Sequence, residues 1–212
     1  MRARHKPWAD EFLKENDHLV KLDPASHKGQ WQSVFQSNSP IHLEIGTGKG
    51  QFIVGMAKQF PNISFIGMEV VKSILVSAVQ KGLEEKPNNV RLINENAEKL
   101  LEVFDENEVD KIYLNFSDPW PKNKHAKRRL TYQTFLELYK QILKPNGEVI
   151  LKTDNKKLFE YSLVSFSQFG MKLEEVVLDL HEFNDPTNIK TEYEEKFSAK
   201  GQPIYRCRAV FV

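Results

Sequence analysis

Cysteine is nearly absent: Cys207 stands alone in 212 residues. No intramolecular disulfide can form and no cysteine cluster can hold a metal, so Cys207 is expected to fill space in a late strand. Long apolar runs are also missing, and no stretch approaches the roughly 20 residues needed to span a bilayer. The first thirty residues are polar and charged, without the apolar core of a secretory signal. A cytoplasmic protein with no membrane partner is the expectation. His5, His125 and His181 lack metal-ligand spacing with acids or cysteine, so no metal is expected. No Gly/Ser-rich or Pro-rich linker and no internal repeat interrupts the chain. With 40% hydrophobic content it can bury one substantial core, which predicts a single domain over 1–212.

Net charge is close to zero, at +1, yet its distribution is uneven. Arg2, Arg4 and Lys6 form one acid-free segment, and Lys122, Lys124, Lys127, Arg128 and Arg129 crowd into another. Without those eight, 22 cations face 29 acids, a balance of −7. The positive field is therefore local, which suits docking a nucleic-acid backbone on one face better than general polyanion binding. A solvated charge run is the plain alternative.

Short apolar runs alternate with helical periodicity from Ile41 to about Gly170. Strands are predicted at Ile41–Ile45, Ser64–Met68, Val90–Asn94, Ile112–Phe116 and Glu148–Thr153. Helices are predicted at Gln51–Phe60, Lys72–Leu83, Tyr132–Leu143 and Lys156–Phe169, with a short turn over Ala97–Phe104. This order implies a doubly wound, mostly parallel α/β sheet. Lys144-Pro-Asn-Gly147 is expected to end the fourth helix. Two β-rich stretches, Lys172–Leu180 and Ile204–Val212, then have no helix-length segment with a clear apolar face between them, so an antiparallel C-terminal hairpin should close the sheet. A Rossmann-like core at 41–170 would thus sit between an N-terminal extension, 1–40, and a hairpin with a loop, 171–212. Trp8 and Trp31 are possible anchors for the extension.

Glu44-Ile-Gly46-Thr-Gly48-Lys-Gly50 joins the first of these strands to the first helix, at the edge where such sheets bind ligands. It is neither G-x-G-x-x-G nor a P-loop, since Gln51 replaces the last glycine and no G-K-[ST] ending is present. A tight turn alone would explain the glycines. Two carboxylates change the reading. Glu69 at the second strand's tip can accept hydrogen bonds from both ribose hydroxyls of an adenosine. Glu44, beside the turn, would repel pyrophosphate and attract a cationic amino-acid end such as that of S-adenosyl-L-methionine. Asn96 after the third strand is placed to meet the adenine edge.

Asn115-Phe-Ser-Asp118-Pro-Trp-Pro-Lys122 leads straight into the cationic run. Prolines fix backbone angles and remove amide donors, so the loop should be stiff. Asp118 either starts an Asp-Pro turn or supports chemistry at the mouth of the fourth strand.

With these elements on one chain, the sequence resembles the class I S-adenosylmethionine-dependent methyltransferases. More narrowly, it resembles the bacterial tRNA (guanine-N7-)-methyltransferase family, which Arg4-His-Lys-Pro-Trp8, Thr153-Asp154 and Thr191-Glu-Tyr-Glu194 also match. The resemblance covers nearly the whole chain and implies methylation of a guanine N7 in the tRNA variable loop. It carries over Glu44, Gly46, Gly48, Glu69, Asn96 and Asp118 as donor contacts, with Asp118 as the active-site residue. Lys122, Asp154, Thr191, Glu192, Tyr193 and Glu194 follow as substrate contacts, and Lys124, His125, Ala126, Lys127, Arg128 and Arg129 as the RNA-interacting segment. Tyr193 and its neighbours would return over the pocket, with Glu194 accepting the N1 and N2 protons of guanine. The partner is then tRNA, with the protein a monomer or homodimer. Two alternatives remain: a methyltransferase of exocyclic base amines, whose D-P-P-[YF] loop is similar to Asp118-Pro-Trp-Pro, and a noncatalytic RNA-binding module.

Overall fold

The computed structural model describes residues 6–183 and 185–212; Arg2, Arg4 and His5 lie outside them. Eight strands form one sheet in the order β1-β4-β3-β2-β5-β6-β8-β7. The strands are β1 (Val20–Lys21), β2 (Ile41–Ile45), β3 (Ser64–Met68), β4 (Val90–Ile93), β5 (Val109–Asn115), β6 (Leu143–Thr153), β7 (Met171–Val177) and β8 (Tyr205–Phe211). Pairing is parallel from β1 to β6 and antiparallel where β8 joins β6 and β7. The expected closing hairpin is present. Its second strand inserts between the first and the parallel core.

Alternation along the strands sorts side chains to two covered faces. Leu43, Ile45 and Ile66 join Leu136, Tyr139 and Phe159 on one face, beneath α5 (Leu100–Val103), α6 (Gln133–Ile142) and α7 (Lys156–Phe169). Phe65 and Leu92 join Ile53, Leu75 and Val79 on the other, beneath α3 (Gln51–Gln59) and α4 (Lys72–Glu85). Helix α7 has the predicted bounds because Asn155 caps its start, accepting from Leu158 N–H at 2.9 Å, and Gly170 ends it at φ 86°.

The extension proves to be part of the sheet. Helices α1 (Ala9–Glu15) and α2 (Trp31–Phe35) flank β1, which pairs with β4. Trp31 is the anchor: it is fully buried, and its indole N–H donates to Val103 O at 3.0 Å. Trp8 is 46% exposed and packs edge-on against Phe12.

Three expectations need correction. β5 starts at Val109, ahead of the predicted Ile112, because a register shift between Val109 and Lys111 lets two more residues pair. Lys144-Pro-Asn-Gly147 does not separate helix from strand: Leu143 already pairs with Val109, and the turn, with Asn146 at φ 63°, is a bulge inside β6. Between β7 and β8 lie two short helices, α8 (Leu180–Phe183) and α9 (Glu192–Ser198). Both are too short for apolar periodicity to reveal. The signal for α9 was its cap: Thr191 Oγ1 accepts from Glu194 N–H at 3.0 Å, a Thr-x-x-Glu start.

Candidate active site at the carboxyl edge of the sheet

Strand order reverses between β2 and its neighbours β3 and β5, and ligands of open α/β sheets bind at the crevice this creates. The glycine loop leaves β2 there. Gly46 and Thr47 N–H both donate to Met68 O, at 2.8 and 2.9 Å, tying the loop to the tip of β3. Gly46 and Gly48 have φ of 81° and 59°, and a Cβ added to either would meet nothing within 4 Å. Their backbone is thus bare to the crevice. Gly50 serves packing instead, since a Cβ there would come within 2.8 Å of Ala78.

Glu69 is held at the tip of β3. Its Oε2 accepts from Gly48 N–H at 3.1 Å and its Oε1 from Val71 N–H at 2.9 Å. Burial raises its pKa, these backbone bonds oppose the rise, and the charge of Asp118 adds to it. The Gly48 amide ties Glu69 to the glycine loop, and Asp118 is near enough for its charge to act on Glu69. Asn96 is exposed beyond β4, where it caps the turn at Ala97–Lys99 by accepting from Glu98 N–H.

Glu44 faces inward. It is 1% exposed, with Oε1 taking Asn115 Nδ2–H at 2.8 Å and Oε2 taking Thr47 Oγ1–H at 2.6 Å. Burial pushes its pKa up to about 7 against the opposing hydrogen bonds of Thr47 and Asn115 and the charge of Lys152; Glu192 reinforces the rise. Lys152, 2% exposed at the end of β6, donates to Asn188 Oδ1 and Ile189 O, both at 3.0 Å. It also pairs with Glu194 at 2.5 Å. Burial pulls the Lys152 pKa down and Glu194 opposes this. Lys152 is thus paired with Glu194, while Glu44 feels its charge without contacting it.

Glu194 was expected to meet a guanine's pairing edge. In the structure it is fully buried, held by Lys152 and by Asn188 Nδ2–H at 2.6 Å. Thr191 is buried as the cap, while Glu192 is half-buried and Tyr193 is 56% exposed. Tyr193 stacks on Phe116 and Phe197, with ring centroids at 6.3 and 6.1 Å. Nothing along the chain singles out Lys152: a lysine in an apolar strand looks like a solvated residue.

Asp118 is exposed on the loop that leaves β5. Lys122, Lys124, Lys127 and Arg128 are also exposed, on or just before a 3-10 turn at Asn123–Arg128. Within that turn His125 sets its ring edge-on to Trp120 at 5.8 Å, and Ala126 O accepts from Arg129 N–H. Arg128 lies 4.8 Å from the Trp120 ring. Arg129 departs from the expected outward array: it is 9% exposed and turned under the loop. Asp154 is half-buried at the end of β6. A separate cavity of about 390 Å³ lies along the sheet face between Phe52 and Ile189. It touches Asn115 and Lys152 but none of Glu69, Asn96 or Asp118.

A family model described as "Putative methyltransferase" matches residues 38–207. A tRNA (guanine-N(7)-)-methyltransferase of Oceanobacillus iheyensis is 65% identical over 100% of this chain and 99% of its own. One from Bacillus subtilis is 57% identical over 97% of each. Among solved structures, the 16S rRNA methyltransferase KamB superposes with TM-score 0.66 at 12% identity, covering 86% of this chain and 93% of that one. A structure described as an antibiotic-related methyltransferase gives 0.62 at 20%, covering 86% and 92%. At those identities the likeness concerns the fold.

The sheet order and the family match place the chain among the Rossmann-like, S-adenosyl-L-methionine-dependent methyltransferases. Within that class, the chain belongs to the tRNA (guanine-N(7)-)-methyltransferase family. No described helix is long and apolar enough to cross a membrane.

Proposed function

We propose that this protein methylates N7 of a guanine in the variable loop of tRNA, with S-adenosyl-L-methionine as donor. The observation that carries the reading is Glu69 at the tip of β3, accepting from the Gly48 amide of the glycine loop and leaving that loop's backbone bare. The residues present fit the donor. Bare backbone at Gly46 and Gly48 leaves room for close approach, and Glu69 retains lone pairs for ribose hydroxyls. Asn96 stands beyond β4 for the base edge. Glu44, held by Thr47 and Asn115 behind the glycine loop, favours a cationic amino-acid end without touching solvent itself. When bound, the donor supplies an electrophilic methyl carbon.

Guanine N7 has an in-plane lone pair and no proton, so no general base is needed to make it a nucleophile. Catalysis then rests on alignment and on charge. Asp118, exposed at the crevice, stabilises the purine as it becomes cationic. Phe116 and Trp120, at φ 50° and 40°, with Pro119 and Pro121, hold the turn that carries it. Lys122, Lys124, Lys127 and Arg128 meet phosphates and orient the tRNA with little sequence choice. Asp154, Glu192 and Tyr193 line the acceptor side, and Thr191 and Glu194 hold that segment in place. The reaction runs in the cytoplasm, in a monomer or homodimer.

Incubation with unmodified tRNA and labelled donor, followed by mapping of the modified nucleotide, tests donor, acceptor and position together. An N7 product makes the strand cleavable after mild reduction and aniline. Label at an exocyclic amine, or tRNA binding without label, would each replace this reading with one of the alternatives.

A further inference from the structure

Arg129 belongs by sequence to the cationic run, yet its surroundings set it apart. Its Nε donates to Pro119 O at 3.2 Å and Trp120 O at 3.3 Å, and its Nη2 donates to Trp120 O at 3.0 Å. The guanidinium lies 4.2 Å from the ring centre of Tyr161 on α7, and the residue is 9% exposed. Arg128, next in the chain, is exposed.

What Arg129 grips is a strained turn. Phe116 and Trp120 adopt left-handed backbone at φ 50° and 40°, where a bulky non-glycine residue costs about 1–2 kcal/mol. Such conformations persist only when their surroundings over-determine them. Pro119 and Pro121 offer no N–H, so the turn cannot close on itself through those residues. Its free carbonyls need donors from elsewhere. A guanidinium is suited to this because its planar fork reaches two neighbouring oxygens at once, whereas an ammonium is a point charge. Asp118 precedes the two gripped carbonyls. Wherever Arg129 sets Pro119 and Trp120, it also sets the Asp118 carboxylate.

We propose that Arg129 is a positioning residue for Asp118, clasping the Pro119-Trp120 turn against Tyr161, and does not serve as a phosphate contact. This rests on the tRNA-methylating reading and deepens it, dividing the cationic segment into an outer footprint and one inward strut. Loss of the strut leaves tRNA binding intact and misplaces the carboxylate by a fraction of an ångström, enough to slow alignment-limited chemistry.

The test compares wild type, Arg129→Lys, Arg129→Ala, Tyr161→Leu and Arg128→Ala. For each, kcat is measured at saturating tRNA and donor, and the tRNA Kd is measured across a salt series. Arg129→Lys, which keeps the charge and loses the fork, should lower kcat by about tenfold or more, leaving the tRNA Kd within about twofold and its salt slope as in wild type. Tyr161→Leu, which removes the shelf and keeps the arginine, should shift kcat in the same direction and serves if Arg129→Ala does not fold. Arg128→Ala provides the contrast, its salt slope falling by about one. Wild-type kcat in Arg129→Lys overturns the proposal, as does a salt slope reduced by about one in either Arg129 variant. A wild-type protein that transfers no methyl to tRNA overturns the underlying reading instead.

Discussion

Lys152 on β6 and Glu194 on α9 pair at 2.5 Å with side chains 3% and 0% exposed. This contact fastens the segment between β7 and β8 to the parallel core. Lys152 bonds the segment at Asn188, Ile189 and Glu194 together. Nearby, Gln51 at the start of α3 donates to Lys190 O at 3.1 Å, and Gly55 leaves room for Ile189. Helix α3 and the segment between β7 and β8 are thus held through the same few residues.

Breaking that pair should be expensive. Lys152→Met strands Glu194 as an enclosed carboxylate and is expected to destabilise by about 3–5 kcal/mol in urea unfolding. Adding Glu194→Gln should recover a large part of the loss. If the double variant is less stable than the single one, the two residues do not act as a pair.

Asp118→Ala is expected to remove most turnover while tRNA affinity stays within a few-fold, because the proposed phosphate contacts lie on other residues. Single-turnover rates and filter binding measure the two parts separately. Wild-type turnover would exclude Asp118 from the chemistry.

The footprint itself is tested by Lys127→Ala combined with Arg128→Ala. Both side chains are exposed, so the fold should tolerate the change. Loss of two phosphate contacts should lower the salt slope of tRNA binding by about two. An unchanged slope removes both from the interface.

Glu44 predicts a pH dependence. Folded, it keeps a proton up to about pH 7; unfolded, it releases it near its ordinary value of 4.5. Between those values the folded state binds more protons, so the Glu44 contribution to stability is present below pH 4.5 and falls as pH rises through the window. His42, whose pKa burial lowers to about 4, has the opposite slope over part of this range, so the difference between wild type and Glu44→Gln isolates Glu44. Wild type should lose ground to the variant from pH 4.5 to 7 by an amount on the order of 3 kcal/mol. Parallel stability curves would mean that Glu44 does not titrate there.

The parallel core was legible because its signals are short-range. β2 and β3 have the predicted bounds, since an apolar run bounded by turn residues needs no partner to be recognised. Glycines at 46 and 48 and an acid at 69 announced a ligand edge for the same reason. The small helices α8 and α9 show no apolar face, as neither completes enough turns, and only the Thr191 cap of α9 marks either of them along the chain. Trp31 and Trp8 looked equivalent in sequence, yet one is buried and the other half-exposed. Only packing against Val103 and Phe104 distinguishes them.

By itself, the sequence determined the doubly wound sheet, the glycine loop with its acidic strand tips, and the proline-flanked aspartate beside a cationic run, because each is written in residues close along the chain. Tertiary structure decided which charges face the solvent. Arg129 and Glu194 carry the same formal charges as their exposed neighbours, and they are turned inward because Trp120 O and Lys152 Nζ, brought near by folding, satisfy them there. A charge's role depends on the partner that meets it in space, and that partner is set by how the sheet and its loops pack together.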